Sequence, residues 1–340
     1  MPTIQDVAYL AGVSSATVSR VINGSDKVSE KVKSKVQDAI EKLNYTPNSL
    51  GLYLRSSSTK SLLFLIQEEI ILDYKFITGI NSAAFEHGYN VVMAMMNGSP
   101  ELEADFLRRV KNRLYDGVIF CMNPYNSKEL HDMFEDFPCV FASTTAGDFI
   151  PSFSIDHEQA AYEATNSLIR SGCREISLFA IEEYTNRHGK TKKNTDDLLH
   201  IKGYRRALEA NGIAFREELI IQSSFSYEGS RQSLIKLLSE EHPADAVLCT
   251  HEQQAFACIS AAKELGISVP QELSVLCFNV SNICEIYNPR ISTVSQPWYD
   301  IGYEAVSALI NNISNPGAGI YGPCLLPHSI IQRDTTRPST

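Results

Sequence analysis

Hydrophobic residues near the start of the chain recur at the three- and four-residue spacing of an amphipathic helix. Val7 and Ala11 lie on one apolar side, while Thr3 and Asp6 have the spacing of a capping box. Gly12 follows directly and is a typical helix stop. The pattern therefore predicts a short first helix with a defined signal at each end.

A second helix of about ten residues is predicted after this stop, with Ser14 placed to cap it. Val18, Val21 and Ile22 face inward on that helix. The outward side carries Ser15, Ala16, Ser19 and Arg20. Two short helices around a tight turn are typical of a helix-turn-helix, in which the second helix reads DNA.

A third amphipathic helix is predicted after Ser29, which stands at the capping position. Its apolar side consists of Val32, Val36, Ala39, Ile40 and Leu43. The helix leads into residues 44–48 and a hinge-like segment from Leu50 to Leu54. A helix as short as this hinge is marginal in water without a partner.

From Ser61 onward, short apolar runs alternate with helical stretches. The first series predicts strands at 61–66, 90–95, 117–122 and 139–142, with helices near 75–87, 100–114 and 127–136. The second predicts strands at 176–180, 219–222, 246–249 and 274–278, with helices near 157–171, 198–211, 228–241 and 253–265. Strict alternation of strand and helix predicts parallel sheets, which bind ligands at the carboxyl ends of their strands.

Five further motifs follow in order along the chain. They are Tyr115-Asp116-Gly117-Val118-Ile119, Lys202-Gly203-Tyr204, Ser268-Val269-Pro270, Ile291-Ser292-Thr293-Val294 and Ile331-Gln332-Arg333. Together with the helix-turn-helix, these motifs resemble the lactose-repressor (LacI/GalR) family of bacterial transcription regulators. The resemblance covers essentially the whole chain.

The resemblance implies a small all-α helix-turn-helix head plus an α/β core of two doubly wound parallel-sheet lobes, similar to periplasmic binding proteins. The expected parts are a DNA-binding domain at 1–45, a hinge helix and linker at 46–60, and an effector-binding and dimerisation core at 61–340. The expected N-lobe covers about 61–158 and 292–322, and the C-lobe about 159–291 and 323–340. The chain would cross between the lobes near 157–161, 290–295 and 320–325.

The function implied is that of a transcriptional repressor of carbohydrate uptake or catabolism genes. We expect a cytoplasmic homodimer that binds a palindromic double-stranded operator, with a small-molecule effector in the cleft between the lobes. Specificity needs two heads, because one recognition helix reads only a few base pairs. The N-terminus begins the first helix almost at once and no apolar run reaches about 18 residues, so we expect no export and no membrane partner.

Three residues of the recognition helix match the family positions that meet base edges. These are Ser15, Ala16 and Arg20. Arg20 can bond both acceptors of a guanine, and Ala16 is small enough to meet a thymine methyl group. The residues expected at phosphates are Ser14, Thr17, Ser19, Asn23 and Tyr45. Alternatives stay open, since Ser14 can be a helix cap, Asn23 a turn residue and Tyr45 a packing aromatic.

In the hinge, Leu54 matches the leucine that the family inserts into the minor groove. The alternative for Leu54 is burial at the domain junction. Gly51 and Leu52 stand where alanine and arginine are usual. Because glycine costs a helix about 1 kcal/mol relative to alanine, we expect the hinge to fold mainly on DNA.

The expected effector site departs from the family pattern. Tyr74 aligns with a stacking aromatic and Phe225 lies near another, but His200 replaces an arginine and Asn279 an acidic residue. The loss of both charges makes an ordinary sugar a weaker expectation. It favours either a ligand held by neutral hydrogen bonds and apolar contact, or one whose charge is met by the lysine-rich segment 187–193. A contact from His200 to an anionic ligand would strengthen below pH of about 6.5. His200 as a surface residue and Asn279 as a turn residue are the alternatives.

Residues 182–197 form an insertion relative to the family, rich in both lysine and acidic residues. It could cover the cleft or receive a phosphorylated group, but a mobile polar loop is the favoured interpretation.

The formal net charge of −10 is unusual for a DNA-binding protein, but the charge is unevenly distributed along the chain. Residues 1–60 hold 8 of the 30 basic and 5 of the 40 acidic residues, so this part is +3 and the rest is −13. Phosphate contacts need local rather than overall positive charge. A lysine-rich, solvated third helix explains the same basic residues equally well.

The remaining composition points to a reduced protein without a reactive centre. The eight cysteines lack metal-site spacing and are predicted to be reduced, buried side chains. No serine nucleophile elbow or paired-histidine metal motif occurs, and the glycine-rich segment 317–322 lies between two prolines instead of joining a strand to a helix. We therefore predict no catalytic activity, no cofactor and no metal. A solute-binding protein and an enzyme are the alternatives.

Overall fold

The structure is a computed structural model, which describes residues 2–22, 24–25, 27–45, 58–66, 73–96, 99–121, 137–144, 150–180, 183–185, 191–222, 227–239, 243–278, 281–317 and 322–338. These residues fall into two compact units, within 1–59 and within 60–340. The predictions for Asn23, Gly51, Leu54, Phe225, Asn279 and the helix near 127–136 lie outside the described residues.

The described residues of the first unit, called the head, form three helices, α1 (Ile4–Ala11), α2 (Ser15–Ile22) and α3 (Glu30–Leu43). The capping box of α1 is confirmed, since the backbone N–H of Thr3 donates to Asp6 Oδ2 (2.7 Å) and that of Asp6 to Thr3 Oγ1 (3.4 Å). Gly12 ends α1 with a left-handed φ of 67°. Ser29 precedes α3 as predicted, but its side chain makes no capping hydrogen bond.

Residues from all three helices form the core of the head. They are Val7, Ala8, Ala11, Val18, Val36 and Ala39. The second helix is two residues shorter than the expected ten, and its inward side is held by Val18, which is fully buried. The apolar spacing read from the sequence therefore accounts for the packing of the head.

The second unit, called the core unit, contains fourteen described strands. They are β1 (Ser61–Ile66), β2 (Asn90–Met95), β3 (Gly117–Cys121), β4 (Cys139–Ala142), β5 (Ser152–Ile155), β6 (Ile176–Phe179), β7 (Glu183–Thr185), β8 (Thr191–Lys193), β9 (Ile220–Ile221), β10 (Ala246–Cys249), β11 (Ser274–Phe278), β12 (Ser292–Ser295), β13 (Pro323–Leu326) and β14 (Ser329–Ile331). Buried strands dominate both large sheets, as in sheets covered by helices on both faces.

Eight described α-helices accompany these strands. They are α4 (Tyr74–Glu86), α5 (Pro100–Lys111), α6 (His157–Arg170), α7 (Thr195–Ala210), α8 (Tyr227–Leu238), α9 (Glu252–Leu265), α10 (Ile283–Ile286) and α11 (Trp298–Ser314). None of the helices in the described ranges combines the length and the apolar character that a membrane crossing requires.

The strands form two six-stranded sheets and one two-stranded sheet. The first sheet has the order β13-β5-β4-β3-β1-β2 and is parallel throughout. The second has the order β14-β12-β11-β10-β6-β9 and is parallel except at its edge, where β14 is antiparallel to β12. We call the parts built on these sheets the first lobe and the second lobe.

Two of the expected lobe crossings are wrong by a few residues. The strand Ser292–Ser295 belongs to the second sheet and Pro323–Leu326 to the first, so the chain crosses after Ser295 and again between Leu326 and Ser329. The reason is that β12 pairs with β11 of the second sheet and β13 pairs with β5 of the first sheet. Each strand therefore lies in the lobe that the chain is about to leave. The first crossing falls between β5 and α6, close to the expected place.

In its described part, the insertion at 182–197 has regular secondary structure, which the favoured interpretation of a mobile loop did not include. Its described residues form the antiparallel pair β7 and β8, and α7 begins at Thr195, three residues earlier than predicted. The side chain of Asn194 accepts a hydrogen bond from the backbone N–H of Asp197 (3.3 Å) and so caps α7. This cap brings Asp196 and Asp197 into the first turn of the helix.

The cysteine prediction is confirmed. All eight cysteines are free thiols, of which seven are buried and Cys324 is half-buried. Burial raises the pKa of Cys121 and of Cys139 to about 12, so neither is a reactive thiolate at neutral pH.

Candidate functional site

The head presents one face of α2 to solvent. Ala16 and Arg20, four residues apart, are exposed on the same face, while Ser15 is half-buried. Opposite them, Val18 anchors the helix in the head core. The structure thus places the three predicted base-reading residues on an outward surface, and their contact with bases remains a prediction.

Two of the predicted phosphate contacts, Ser14 and Tyr45, already make contacts within the head. Ser14 also caps α2, because its Oγ accepts a hydrogen bond from the backbone N–H of Thr17 (3.2 Å) and lies 2.9 Å from Thr17 Oγ1. Tyr45 is half-buried and packs against the head core. Capping and packing are therefore present at Ser14 and Tyr45, and phosphate contacts by these residues and by Ser19 remain predictions.

A second polar site lies where the first lobe meets the amino end of α7. Thr144 follows β4, Ser154 lies in β5 and His157 begins α6, while Asp196, Asp197 and His200 come from α7. We call these six residues the cleft cluster. Thr144 Oγ1 donates a hydrogen bond to Asp196 Oδ1 (3.0 Å), which links the two lobes directly.

Four members of the cleft cluster form a continuous hydrogen-bonded chain. Ser154 Oγ lies 2.9 Å from His157 Nε2, His157 Nδ1 lies 3.0 Å from His200 Nε2, and His200 Nδ1 lies 3.1 Å from Asp197 Oδ1. All four side chains are buried. The low exposure makes unpaired polar atoms costly, and the chain gives each residue a partner.

Burial, reinforced by the neighbouring His157, lowers the pKa of His200 to about 3, so its imidazole is neutral. The hydrogen-bond network then assigns the protons. His200 Nδ1–H donates to Asp197, and His200 Nε2 accepts from His157 Nδ1–H. In the neutral form of His157, Nε2 accepts from the hydroxyl of Ser154.

Two expectations for His200 are corrected by this geometry. Its side chain is 5% exposed, so the alternative of a surface residue is wrong. The expected titration near pH 6.5 is also wrong, because burial disfavours the charged imidazole. Both ring nitrogens contact protein partners, and the ring packs on Phe278 with 4.2 Å between centroids.

Asp196 is more exposed to solvent than the four residues of the hydrogen-bonded chain. Its side chain is 21% exposed, compared with 2% for Asp197. Its Oδ1 accepts from Thr144 and lies 3.8 Å from His157 Nε2, beyond hydrogen-bond distance. Within the described ranges, no lysine or arginine forms an ion pair with Asp196. Asp196 is thus an accessible acceptor at the meeting point of the lobes.

The start of α9 adds further polar groups beside the cleft cluster. Glu252 is buried and accepts hydrogen bonds from the backbone N–H and from Oγ of Ser281, the latter at 2.7 Å. Burial lowers the pKa of His251, against the opposing charge of Asp197. Gln254 Oε1 accepts from the backbone N–H of His251 (3.0 Å), and its Nε2 has no partner among the described residues.

The cleft cluster is a network of polar side chains that joins the two lobes. Within the part of the chain that the structure describes, no group of three or more histidine, cysteine or acidic side chains is placed to hold a metal ion. Of the predicted effector residues, Tyr74 begins α4 and is 58% exposed. No described contact joins its side chain to the cleft cluster.

Sequence reasoning identified His200 but missed the rest of the cleft cluster. Asp197 and His200 are three residues apart, so a helix places them on one face, and this spacing was a usable signal. His157 lies 43 positions before His200, and nothing in the local pattern indicates that pairing.

Comparison with known proteins gives matches over both units. Residues 3–48 match the family described as bacterial regulatory proteins, lacI family, and residues 165–336 match the periplasmic binding protein-like domain. Catabolite control protein A of Priestia megaterium is 31% identical over 340 residues, which cover 98% of this chain and 99% of that protein. The HTH-type transcriptional regulator RegA of Clostridium saccharobutylicum is 31% identical over 339 residues, with the same coverage.

Solved structures give a consistent result. The complex of the transcriptional regulator CelR with cellobiose has a TM-score of 0.72 and 25% identity, covering 98% of this chain and 100% of that one. The Lac repressor bound to ONPG in the repressed state has a TM-score of 0.83 and 24% identity, covering 98% and 99%. The second comparison supports the fold, with a helical head and a two-lobed α/β core.

Proposed function

Because this chain belongs to the lacI family of bacterial regulatory proteins, it is a DNA-binding transcriptional regulator, and we propose that it represses genes of carbohydrate uptake or catabolism. The observation that carries the proposal is the exposed face of α2, where Ala16 and Arg20 stand outward on a helix that Val18 fixes in the head core. A recognition helix needs this combination of a rigid inner side and a polar outer side.

We propose that Arg20, Ala16 and Ser15 read base edges and that Ser14, Thr17, Ser19, Asn23 and Tyr45 contact phosphates. Base contacts give specificity and phosphate contacts give register. Gly51 and Leu54 of the hinge are proposed to contact the minor groove. A homodimer would place two such heads on a pseudo-palindromic operator in the cytoplasm, with the head at 1–45, the linker at 46–60 and the core at 61–340.

The proposed effector site is the cleft between the lobes, near the cleft cluster. The Thr144–Asp196 hydrogen bond joins the two lobes at this place, so a ligand bound there would favour one relative position of the lobes. The complex of CelR with cellobiose supports a saccharide as the class of effector. An effector changes DNA affinity only by its different affinity for the two lobe arrangements.

The test is selection of bound sites by the full chain from a random duplex pool, with and without a panel of saccharides. We expect a pseudo-palindromic consensus, and at least one saccharide that changes its affinity. Tyr74→Ala and His200→Ala should alter the response to that saccharide while leaving the selected sequence unchanged. Asymmetric single sites, or a consensus whose affinity no saccharide changes, would contradict the proposal.

A further inference from the structure

We propose that the first lobe carries a second DNA-binding surface, formed by four basic residues at the carboxyl end of α5, which contacts phosphate groups of the duplex that the head binds. The inference goes beyond the proposed function, which assigns DNA contacts to the head and the hinge alone. We call these four residues the basic patch; they are Arg108, Arg109, Lys111 and Arg113.

The basic patch differs in charge from the rest of its unit. Residues 61–340 carry a net charge of −13, yet the four basic residues lie within six positions. The carboxylate of Asp105 pairs with the first two of them. Within the described ranges no acidic side chain pairs with Lys111 or Arg113, and both are exposed. Phosphate binding depends on local positive charge of this kind and not on the charge of the whole unit.

The backbone at Arg113 supplies an independent observation. Arg113 follows the end of α5 with a φ of 53°, in the left-handed region that favours glycine. Its N–H donates to the carbonyl of Val110 (2.9 Å), and the N–H of Leu114 donates to that of Arg109 (3.2 Å). This pair of hydrogen bonds is the Schellman motif, in which a left-handed residue ends the helix.

Three other helices of the core unit end with the same pair of hydrogen bonds, and each has glycine at the corresponding position. They are α4, α6 and α7, with Gly88, Gly172 and Gly212 at φ values of 70°, 91° and 67°. Arginine is strained there, because its Cβ atom disfavours a positive φ. The helix dipole does not require it, since the last turn of α5 already contains three basic residues. A strained, exposed arginine points to a function of its side chain.

The basic patch lies near the point where the chain enters the core unit. Lys60 is the first residue of this unit, and its N–H donates to Asp116 Oδ2 (3.0 Å). The N–H of Asp116 donates in turn to the carbonyl of Ser61 (2.9 Å). Residues 112–116 connect α5 to β3, which pairs with β1, so α5 ends at the end of the first sheet where β1 begins.

This position favours DNA as the anionic partner. The residues before position 60 tether this end of the first lobe to the head, which raises its effective concentration at any duplex that the head binds. Guanidinium and ammonium groups bind phosphate oxygens through charge-assisted hydrogen bonds. Such contacts add affinity without reading bases. The basic patch should therefore strengthen the binding of every duplex, while the head determines which sequence is preferred.

The experiment measures binding of the full chain to a mixed-sequence duplex and to the operator obtained by site selection, by fluorescence anisotropy at several salt concentrations. Arg113→Gly removes the cation and relieves the backbone strain, so the core unit should be at least as stable as the wild type in thermal unfolding. The same variant should weaken both duplexes by a similar factor, about fivefold at low salt. The slope of log Kd against log salt should decrease by about one for each phosphate contact that is lost.

Controls separate a phosphate contact from a structural effect. Lys263→Gln removes an exposed cation from the last turn of α9, in the second lobe, and should leave the binding of both duplexes unchanged. Arg113→Lys retains the charge and should bind both duplexes more tightly than Arg113→Gly does. Acetylation of the wild type, followed by mass spectrometry, should show that DNA protects Lys111 but not Lys263.

Several outcomes would overturn the inference. Unchanged affinity and salt slope for Arg113→Gly would do so and would favour an acidic protein as the partner of the basic patch. Weakening of the operator alone would also overturn it, because a phosphate contact acts on both duplexes. The mixed-sequence duplex keeps the two proposals distinguishable. If site selection returns no consensus while Arg113→Gly still weakens the mixed-sequence duplex, the proposed function fails and the basic patch is supported.

Discussion

The recognition face of α2 and the cleft cluster use polar side chains in opposite ways. In the head, Arg20 and Ala16 are exposed, and each is positioned only by the helix that carries it. In the core unit, His157, His200 and Asp197 are buried and positioned by one another. Substitutions on the recognition face should therefore have independent effects on DNA specificity. A substitution in the cleft cluster should instead affect the whole hydrogen-bonded network.

The largest effect is expected at Arg20. Arg20→Ala should lose about 1–3 kcal/mol of base discrimination in each half-site of a dimer, so that the operator loses most of its advantage over unrelated DNA. Fluorescence anisotropy with the selected operator and with a scrambled duplex measures this difference. The stability of the head should be unchanged, because Arg20 is exposed.

Lys35→Ala is the matched control, since it removes one exposed positive charge from α3 instead of α2. It should weaken both duplexes by a similar small factor. Equal weakening of both duplexes by Arg20→Ala would make Arg20 a phosphate contact and would remove the base-reading side of the comparison.

The next largest effect is expected at Gly203, where α6 and α7 come into close contact. A Cβ atom at this position would lie 2.1 Å from the backbone oxygen of Glu158 and 2.8 Å from the backbone nitrogen of Tyr162. Gly203→Ala should therefore separate the two helices and cost the core unit about 3 kcal/mol of stability. Because His157 and His200 lie on these helices, the hydrogen bond between them should be lost as well.

Chemical denaturation followed by intrinsic fluorescence measures the loss. Lys202→Ala, at an exposed neighbouring position, should change stability by less than about 0.5 kcal/mol. If Gly203→Ala were as stable as the wild type, the close approach of α6 and α7 would be wrong.

The same contrast explains what could be predicted from the sequence. The limits of α1 and the strands at 61–66, 90–95, 139–142, 246–249 and 274–278 follow from local signals, namely a capping box, a terminal glycine and short apolar runs. The crossing points between lobes were displaced, because β12 and β13 are placed by pairing with distant strands and not by their own residues. The antiparallel edge strand β14 was missed for the same reason.

The candidate sites divide in the same manner. The outer face of α2 could be predicted because neighbouring residues on one helix define it. The cleft cluster could not, since it joins β4, β5, α6 and α7, and its central hydrogen bond connects residues 43 positions apart. The pKa of His200 depends on that burial, which explains why the expectation of a value near 6.5 was wrong.

A pH dependence of the core unit follows from the buried His200. Its folded pKa of about 3 lies below the unfolded value of about 6.5, so the unfolded chain binds a proton first as the pH falls. Stability should be fully present above pH of about 6.5 and should decrease below it, by about 2–3 kcal/mol at pH of about 4.5 from this residue. Denaturation curves at several pH values measure the slope.

His200→Gln is the control, because a glutamine keeps hydrogen-bonding atoms at this position without titrating in this range. The variant should be less stable at pH 7 and should show a smaller loss between about pH 6.5 and 4.5. Equal slopes for the variant and the wild type would mean that His200 binds its proton over the same pH range in the folded and unfolded chains, which would contradict the lowered pKa.

The smallest expected effect tests the local character of the head. Thr3→Ala removes the side chain that accepts from the backbone N–H of Asp6 and contacts its carboxylate, and it should cost about 1 kcal/mol of head stability. Ser29→Ala changes the residue at the same position before α3, where the side chain makes no capping hydrogen bond, and should cost much less. Hydrogen exchange of the full chain measures both, with about fivefold faster exchange of the head amides expected for Thr3→Ala only. Since the head core is built from residues of all three helices, the faster exchange should extend to α3 while the core unit is unaffected. Equal effects of the two substitutions would show that the capping hydrogen bonds of α1 do not contribute to the stability of the recognition surface.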